Sequence, residues 1–102
     1  MIWKALSDPT RRSILSSLKT APQTTGQISD SFKHLSRYAI MKHLGILEKA
    51  NLITIKRDGK FRWNYLNPMP IQQTYEQWVS NLLQLKYLAE QTTENMGESS
   101  KI

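Results

Sequence analysis

The chain has 102 residues, a formal net charge of +6 at pH 7 and no cysteine. This length suits one domain with a modest core, and the lack of cysteine excludes disulfides, thiolate metal ligands and cysteine nucleophiles. No apolar run approaches the roughly 18 residues that a membrane-spanning helix needs, and the first residues are too few for a signal peptide. We therefore expect a cytoplasmic protein that does not associate with a membrane.

The charges are distributed unevenly along the chain. Residues 1–66 hold twelve of the fourteen Lys and Arg residues but only four of the eight Asp and Glu residues. Residues 67–102 carry a small excess of acid. The first two-thirds of the chain therefore have the charge of a surface that meets a polyanion, although a basic surface alone is weak evidence for nucleic acid binding.

Two helices are predicted before residue 20. Apolar residues at positions 2, 3 and 6 have the spacing of a short amphipathic helix. Asp8 is a favourable N-cap and Pro9 a favourable first helical residue, so a second helix is predicted from this point to about Lys19. Its predicted buried stripe comprises Ile14, Leu15 and Leu18.

A short third helix is predicted after the proline at position 22. Thr24 followed by Gln27 has the pattern of a capping box. Ile28 and Phe32 form an apolar pair four residues apart, which places them on one face of this helix. A turn is predicted at His34-Leu35, where the helical spacing stops.

A longer fourth helix follows this turn. Ser36 is its predicted N-cap, and the helix is predicted to run from Arg37 to about Ala50. Asn51 stands at the predicted end, where Asn tolerates the left-handed backbone that often stops a helix. The apolar stripe of this helix comprises Ala39, Ile40, Leu44 and Leu47.

The spacing then changes from helical to strand-like. A strand is predicted from about Leu52, and Asp58-Gly59 predicts the two-residue turn of a hairpin. The second strand alternates polar residues with three aromatic ones, which are Phe61, Trp63 and Tyr65. We interpret these aromatic residues as the face of the hairpin that packs on the helices. The alternative is that they stack on the bases of a single-stranded nucleic acid.

A last helix is predicted from about Ile71 to at least Leu88. It carries more apolar surface than so small a core can cover, so we expect it to meet a second copy of the chain together with the first helix. The predicted dimer interface comprises Trp3, Leu6, Tyr75, Trp78, Val79, Leu82 and Leu83. The alternative is that this helix folds back on its own domain. The predicted domain spans residues 1–91, and a flexible polar tail spans residues 92–102.

The predicted order of elements is that of a winged helix-turn-helix domain, a mainly α fold with five helices and a small two-stranded β-hairpin as the wing. In this fold the second helix of the helix-turn-helix lies in the major groove of duplex DNA, and the wing reaches the backbone or the minor groove beside it. The alternative for these basic elements is a solvated helix face and an edge hairpin kept soluble by its charge. The predicted DNA-binding residues are Ser36, Arg37, Tyr38, Met41, Lys42, His43, Lys56, Arg57, Lys60 and Arg62.

The residue types suggest separate roles within this set. Arg37 and Lys42 are suited to phosphates or to guanine edges, and Tyr38 can donate to a phosphate. Met41 can make only apolar contact, for example with a thymine methyl group. We interpret His43 as a hydrogen-bonding partner of the protein backbone or of a phosphate.

Nothing in the sequence indicates catalysis or a cofactor. His34 and His43 are the only histidines, and no third ligand stands at a spacing suited to a metal. No nucleophile with an adjacent base, Gly-rich phosphate loop or carboxylate pair is found. We therefore expect neither an enzyme nor a bound cofactor or metal.

From about Trp3 to Leu88 the chain resembles the ArsR-type family of winged-helix repressors. The string ALSDPTRRSIL at residues 5–15 is similar to the opening helix pair of that family, residues 35–53 to its recognition helix, and residues 58–68 to its wing. The resemblance implies a homodimer, joined through its first and last helices, that represses transcription by blocking a promoter at a palindromic site. Many members release DNA when a metal binds Cys or His and Asp clusters. This chain lacks such clusters and resembles the metal-free branch.

Two residues depart from the pattern of the family. Met41 stands where a small hydroxyl residue is usual, which implies an altered base preference, and Asn51 replaces the usual Gly.

The sequence leaves open a winged-helix module that binds protein rather than DNA, for which Tyr38 and Met41 would form an apolar patch. It also leaves open a sensor of an unknown small-molecule effector.

Overall fold

The computed structural model describes residues 2–84. The chain divides into two compact units, Met1–Ile71 and Gln72–Ile102, which are described separately. The predicted polar tail at 92–102 and the predicted continuation of the last helix beyond residue 84 lie outside the described residues.

The elements follow the predicted order, with one addition. They are α1 (Ile2–Leu6), α2 (Pro9–Ser17), β1 (Gln23–Thr24), α3 (Thr25–Ser31), α4 (Arg37–Lys49), β2 (Ile53–Asp58) and β3 (Phe61–Leu66). Residues 69–84 form a further helix, α5. The mainly helical winged-helix fold is therefore confirmed, and the addition is the short strand β1.

Three helices begin at the residues that the sequence predicts. Asp8 caps α2, because its Oδ2 accepts a hydrogen bond of 3.0 Å from the backbone N–H of Arg11. Thr24 and Gln27 form the reciprocal capping box of α3, with hydrogen bonds of 2.9 and 3.1 Å. The Ser36 hydroxyl caps α4 by accepting from the backbone N–H of residue 39 at 3.0 Å. Each cap satisfies an N–H group that the helix itself cannot pair.

Helix α4 ends in a Schellman motif. Asn51 has φ 60°, in the left-handed region, and its N–H donates to the Glu48 carbonyl at 2.9 Å. The Leu52 N–H donates to the Leu47 carbonyl, also at 2.9 Å. Both leucine side chains are fully buried, which is the apolar contact that accompanies this motif. The predicted stop at Asn51 is confirmed.

The sheet has three antiparallel strands in the order β1-β3-β2, rather than the two strands predicted. β1 pairs Gln23 with Asn64 and Thr24 with Trp63, so β3 is the central strand. Asp58 pairs with Phe61, and the two turn residues are therefore Gly59 and Lys60, one position later than predicted. Gly59 has φ 60°, and a type II′ turn requires this conformation at its first central residue.

The core of the first unit is built by α1, α2, α3, α4 and β2. Its apolar residues, all nearly or fully buried, are Ala5, Ile14, Leu15, Leu18, Ile28, Ile40, Leu44, Leu47, Ala50, Leu52 and Ile53. The predicted stripes of α2 and α4 are confirmed at every position except Ala39, which is half-buried. This core holds α4 by one side and leaves its other side to solvent.

The prediction that the aromatic residues of β3 pack on the helices is wrong. Phe61 and Tyr65 are exposed and Trp63 is half-buried. The inward face of β3 carries Asn64 and Leu66, which pair across the sheet with Ile55 and Ile53. Asn64 is fully buried because its Nδ2 donates to the Gln23 carbonyl and to Thr25 Oγ1, both at 3.2 Å.

Helix α5 carries five large exposed hydrophobic side chains, which are Met69, Tyr75, Trp78, Leu82 and Leu83. Asn67 Oδ1 accepts from the backbone N–H of Met69 at 3.3 Å at the beginning of the helix. Within the range 2–84, no helix is both long enough and apolar enough to cross a membrane.

Candidate nucleic-acid interface

The outward side of α4 is polar and cationic in its first two turns. Arg37, Tyr38, Met41 and Lys42 are exposed, and Tyr38 is 77% exposed. No atom lies within 4 Å of the place where a Cβ on Gly45 would stand. The outward side of α4 is therefore an open surface that another molecule can approach closely.

The wing places cations on both sides of its turn. Lys56, Arg57 and Lys60 are exposed, whereas Arg62 is half-buried. The ammonium group of Lys56 lies 5.5 Å from the centre of the Tyr65 ring, and that of Lys60 lies 5.4 Å from the Phe61 ring. These distances suit cation–π contacts, so the exposed aromatic rings hold two of the wing's lysines in place.

A groove of about 240 Å³ lies where the start of α4 meets the wing and the start of α3. It is lined by Thr24, Thr25, Gly26, Arg37, Lys60, Phe61 and Arg62. Among the described residues, every charged side chain that lines the groove is a cation. Arg62 Nε is buried there without a hydrogen-bond partner, although a buried guanidinium N–H normally has one. The groove thus offers positive charge from Arg37, Lys60 and Arg62.

Of the ten predicted DNA-binding residues, the structure brings Arg37, Lys60 and Arg62 together at this groove. Tyr38, Met41 and Lys42 continue along the outward side of α4, and Lys56 and Arg57 lie on β2. Ser36 is exposed, and its hydroxyl oxygen is engaged as the N-cap of α4.

His43 lies apart from this surface. Its Nδ1 is 3.3 Å from Arg11 Nη1 and 3.8 Å from Asp8 Oδ2, and its side chain is 21% exposed. It belongs to the contact between α2 and α4. His43 thus makes a structural contact within the chain through Nδ1, and its role as a phosphate partner stays a prediction.

Arg11 is a structural residue that the sequence analysis missed. Its Nε donates to the Ala5 carbonyl at 2.7 Å and its Nη2 to the Lys4 carbonyl at 3.1 Å, while Nη1 faces His43. One guanidinium thus links the end of α1 to α4. Local patterns did not indicate this role, because Arg11 and His43 are 32 positions apart.

The contacts with Arg11 and His43 change the pKa of the Asp8 carboxyl. The hydrogen bond from the Arg11 backbone N–H lowers the pKa of the Asp8 carboxyl, and the electrostatic interactions of the carboxyl with His43 and Arg11 act in the same direction. Partial burial acts in the opposite direction but is outweighed. The carboxylate form of Asp8 is therefore favoured in the folded chain.

The residues predicted to form a dimer interface lie on two helices. Trp3 and Leu6 belong to α1, where Trp3 is 61% exposed and Leu6 is half-buried. Val79 on α5 is half-buried, whereas the other predicted residues of α5 are exposed. Within residues 2–84 there is no group of three or more His, Asp or Glu side chains that could hold a metal ion.

Comparison with known proteins agrees with this geometry. Residues 6–56 match the model of a helix-turn-helix domain family. The transcriptional repressor SdpR of Bacillus subtilis (strain 168) is 39% identical over 82 residues, which cover 80% of this chain and 89% of the relative. The HTH-type transcriptional regulator YuzN of the same strain is 38% identical over 84 residues, covering 76% of this chain and 91% of the relative.

Solved structures point the same way. The crystal structure of an ArsR family transcriptional regulator, RHA00566, matches with a TM-score of 0.75 and 30% identity, and the match covers 82% of this chain and 90% of that one. A possible transcriptional regulator for arsenical resistance matches with a TM-score of 0.68 and 34% identity, over 76% and 79% of the two chains. These relatives are transcription factors and not enzymes. The chain belongs to the ArsR-type family of winged helix-turn-helix transcriptional regulators, which bind DNA.

Proposed function

We propose that the chain is a homodimeric repressor that binds a palindromic site in duplex DNA, with α4 in the major groove and the wing on the adjacent backbone. The observation that carries this proposal is the cationic groove, where Arg37 of α4 meets Lys60 and Arg62 of the wing. Backbone phosphates receive half or more of the hydrogen bonds in protein–DNA complexes. A phosphate seated in this groove would fix the position of α4 relative to the bases.

The outward side of α4 would then read the sequence. Arg37 and Lys42 can donate to guanine O6 and N7, and Tyr38 can donate to a phosphate. Met41 offers a thioether and a methyl group, which suit contact with a thymine methyl. A base preference that includes thymine opposite Met41 is therefore part of the proposal.

Dimerisation and repression rest on separate observations. Helix α1 and helix α5 each expose apolar side chains, which water disfavours. A symmetric dimer would place two copies of α4 about 34 Å apart, one turn of the DNA. SdpR, which is 39% identical, is a repressor. A dimer bound over a promoter would exclude the polymerase from that promoter. We also propose a cytoplasmic location for the protein, as expected from the sequence.

The experiment begins with selection of bound fragments from the source genome and continues with fluorescence anisotropy on the fragment that binds best. Arg37→Ala combined with Lys42→Ala should weaken binding more than tenfold, because two contacts of about 1 kcal/mol or more are lost. Each of the two subunits loses two cations, so the slope of log affinity against log salt should also become shallower by up to about four.

The matched control is Lys4→Ala combined with Lys19→Ala, which removes the same charge from exposed positions outside α4 and the wing. We expect its affinity to stay within about threefold of the wild type, since distant exposed charges are screened by salt. If both double variants weaken binding equally, only net charge matters, and the proposed role of α4 is wrong.

A further inference from the structure

The outward face of the wing carries a row of three aromatic rings. Phe61, Trp63 and Tyr65 occupy alternate positions of β3, so all three lie on the same face of the sheet. Phe61 and Tyr65 are exposed, Trp63 is half-buried, and none of the three packs against the hydrophobic core. The packing of the core therefore does not account for this row, which we call the aromatic face.

Positive charges lie beside these rings. Lys56 Nζ is 5.5 Å from the centre of the Tyr65 ring, and Lys60 Nζ is 5.4 Å from the centre of the Phe61 ring. An open depression of about 400 Å³ on this face is lined by Pro22, Lys56, Arg57, Asp58, Trp63 and Tyr65. Asp58 is the one acid among the described residues that line it. The aromatic face thus combines flat apolar rings with an excess of cations.

The spacing of the rings suits a ligand made of repeated flat units. Residues two positions apart on a strand are separated by about 6.6 Å. Successive bases of one nucleic acid strand are about 3.4 Å apart when they stack on each other, and a ring inserted between them doubles this distance to about 6.8 Å. The bases of a single strand can therefore alternate with the rings of the aromatic face. An acidic peptide would match the charge of this face but has no such repeat of flat groups.

We propose that the aromatic face binds a single-stranded nucleic acid, with its bases stacked on the rings and its phosphates paired with Lys56 and Lys60. Aromatic platforms beside cations are the general means by which proteins hold single strands without reading their sequence. A duplex cannot occupy this face in the same way, because its bases are already stacked on their own neighbours. The proposal goes beyond the proposed function and does not rest on it.

The two lysines have one arrangement without the ligand and another with it. Each ammonium group lies near an exposed ring, and such a cation–π contact is weaker than the stacking of a base on the same ring. An incoming base therefore displaces the ammonium group from the ring. The displaced group then forms a charge-assisted hydrogen bond with a phosphate of the same strand, so the ring and the lysine both gain a partner.

The test measures binding of the full chain to labelled oligomers by fluorescence anisotropy at about 0.15 M salt. The probe is an oligothymidylate of about 12 nucleotides, a length within the site sizes of single-strand binding folds. The matched control is an abasic oligomer of the same length, which has the same phosphates but no bases. We expect the oligothymidylate to bind at least tenfold more tightly than the abasic oligomer. Equal affinities would show that only charge matters and would overturn the proposal.

Tyr65→Leu separates stacking from apolar contact, because leucine keeps the apolar character and removes the ring. It should weaken oligothymidylate binding at least fivefold. Tyr38→Leu makes the same change at an exposed tyrosine of α4, outside the wing, and should alter this affinity by less than about twofold. Tyr65 is exposed, and circular dichroism of the variant checks that it folds. Unchanged binding by a folded Tyr65→Leu, or an equal loss in both variants, would overturn the proposal.

An oligouridylate of the same length distinguishes the two sources of a single strand. Tenfold tighter binding of the RNA or of the DNA oligomer identifies that nucleic acid as the occupant, and similar affinities show that the face accepts both. If neither oligomer binds more tightly than the abasic control, the proposal is wrong, and a protein is the better candidate for this face. Tyr65→Leu should keep its affinity for the selected duplex within about threefold of the wild type. If the chain binds no duplex DNA, the proposed function fails while the oligomers still test the aromatic face.

Discussion

Asn64 shows how a single polar residue determines which face of the wing is turned inward. On hydrophobicity alone, the face with three aromatic rings should be the buried one. The buried face instead carries Asn64, because β1 and the start of α3 present a backbone carbonyl and a hydroxyl that need a donor there. An acceptor buried without a partner costs about 1–3 kcal/mol, and the two bonds from Asn64 Nδ2 avoid this cost at the Gln23 carbonyl and Thr25 Oγ1, while Asn64 Oδ1 is itself buried without a partner.

Replacement of Asn64 by an apolar residue of similar size tests this account. Asn64→Leu should lower the free energy of unfolding by about 1–3 kcal/mol despite its greater hydrophobicity, because it leaves the Gln23 carbonyl and Thr25 Oγ1 without their donor. The measurement is urea denaturation followed by far-ultraviolet circular dichroism. Tyr65→Leu, the neighbouring exposed position, should change stability by less than about 1 kcal/mol. A stabilised Asn64→Leu variant would show that the buried hydrogen bonds are not what orients β3.

Asp8 makes stability depend on pH in a defined direction. Its pKa is lowered in the folded chain, chiefly by the hydrogen bond from the Arg11 backbone N–H. The charged cap therefore contributes its full stability above the ordinary pKa of Asp, about 3.9, and this contribution is lost as the pH falls through the lowered pKa. Asp8→Ala should be less stable than the wild type by about 1 kcal/mol at pH 7.

The difference between the wild type and Asp8→Ala should shrink as the pH falls from 5 through the lowered pKa of the Asp8 carboxyl. Thermal unfolding at a series of pH values gives this difference directly. Asp8→Asn, which keeps an acceptor but cannot titrate, should lose less stability than the wild type over the same range. A gap between wild type and Asp8→Ala that stays constant with pH would contradict the assigned role of the carboxylate.

At the scale of elements, the ends of helices were predictable from the sequence and the arrangement of strands was not. The caps at Asp8, Thr24 and Ser36 and the stop at Asn51 depend on groups within a few residues of each other, so their patterns are visible locally. Strand β1 has only two residues and exists because β3 lies beside it, about 40 positions further along the chain. Such non-local pairing leaves no periodicity in the sequence.

For the candidate site too, the local features could be predicted from the sequence and the contacts between distant residues could not. The outward side of α4 follows from helical periodicity, and the basic turn of the wing is visible in the sequence. Their convergence at one groove depends on how α3, α4 and β3 pack, as does the burial of Arg62 Nε. The positions of His43 and Arg11 were missed for the same reason, because their contact spans 32 residues.

The Schellman motif at the end of α4 fixes the direction in which the chain enters the wing. Asn51 holds φ 60°, where a residue with a Cβ pays about 1 kcal/mol or more unless it is Asn or Asp. Asn51→Ala should therefore destabilise the fold by about 1 kcal/mol, whereas Asn51→Gly should change stability by less than about 0.5 kcal/mol. Chemical denaturation compares the three proteins. If Asn51→Ala is as stable as Asn51→Gly, the left-handed conformation does not limit this position.

At the scale of the whole molecule, the cations are concentrated in the first part of the chain, whereas α5 is rich in exposed apolar side chains. The cations lie mainly before residue 67, and five large exposed hydrophobic side chains lie on α5. Charges spread over a surface steer a protein to a polyanion, whereas clustered apolar side chains gain about 25 cal/mol for each Å² that a partner covers. The first part of the chain is thus suited to DNA, and α5 is suited to contact with another copy.

Leu82 on α5 offers a direct test of dimerisation. The wild type should sediment as a dimer at micromolar concentrations, and Leu82→Glu should shift it to the monomer, because a charge buried in an apolar interface has no partner. Asn81→Glu adds the same charge at the adjacent exposed position and should remain a dimer. In the proposed dimer each α4 binds one half-site, so Leu82→Glu should also weaken binding to the selected DNA at least a hundredfold, as expected when the linkage between two binding modules is lost. The contrary result is a wild-type chain that sediments as a monomer and still binds the fragment tightly. A single winged helix would then provide the whole affinity, and the proposed palindromic site would have no physical basis.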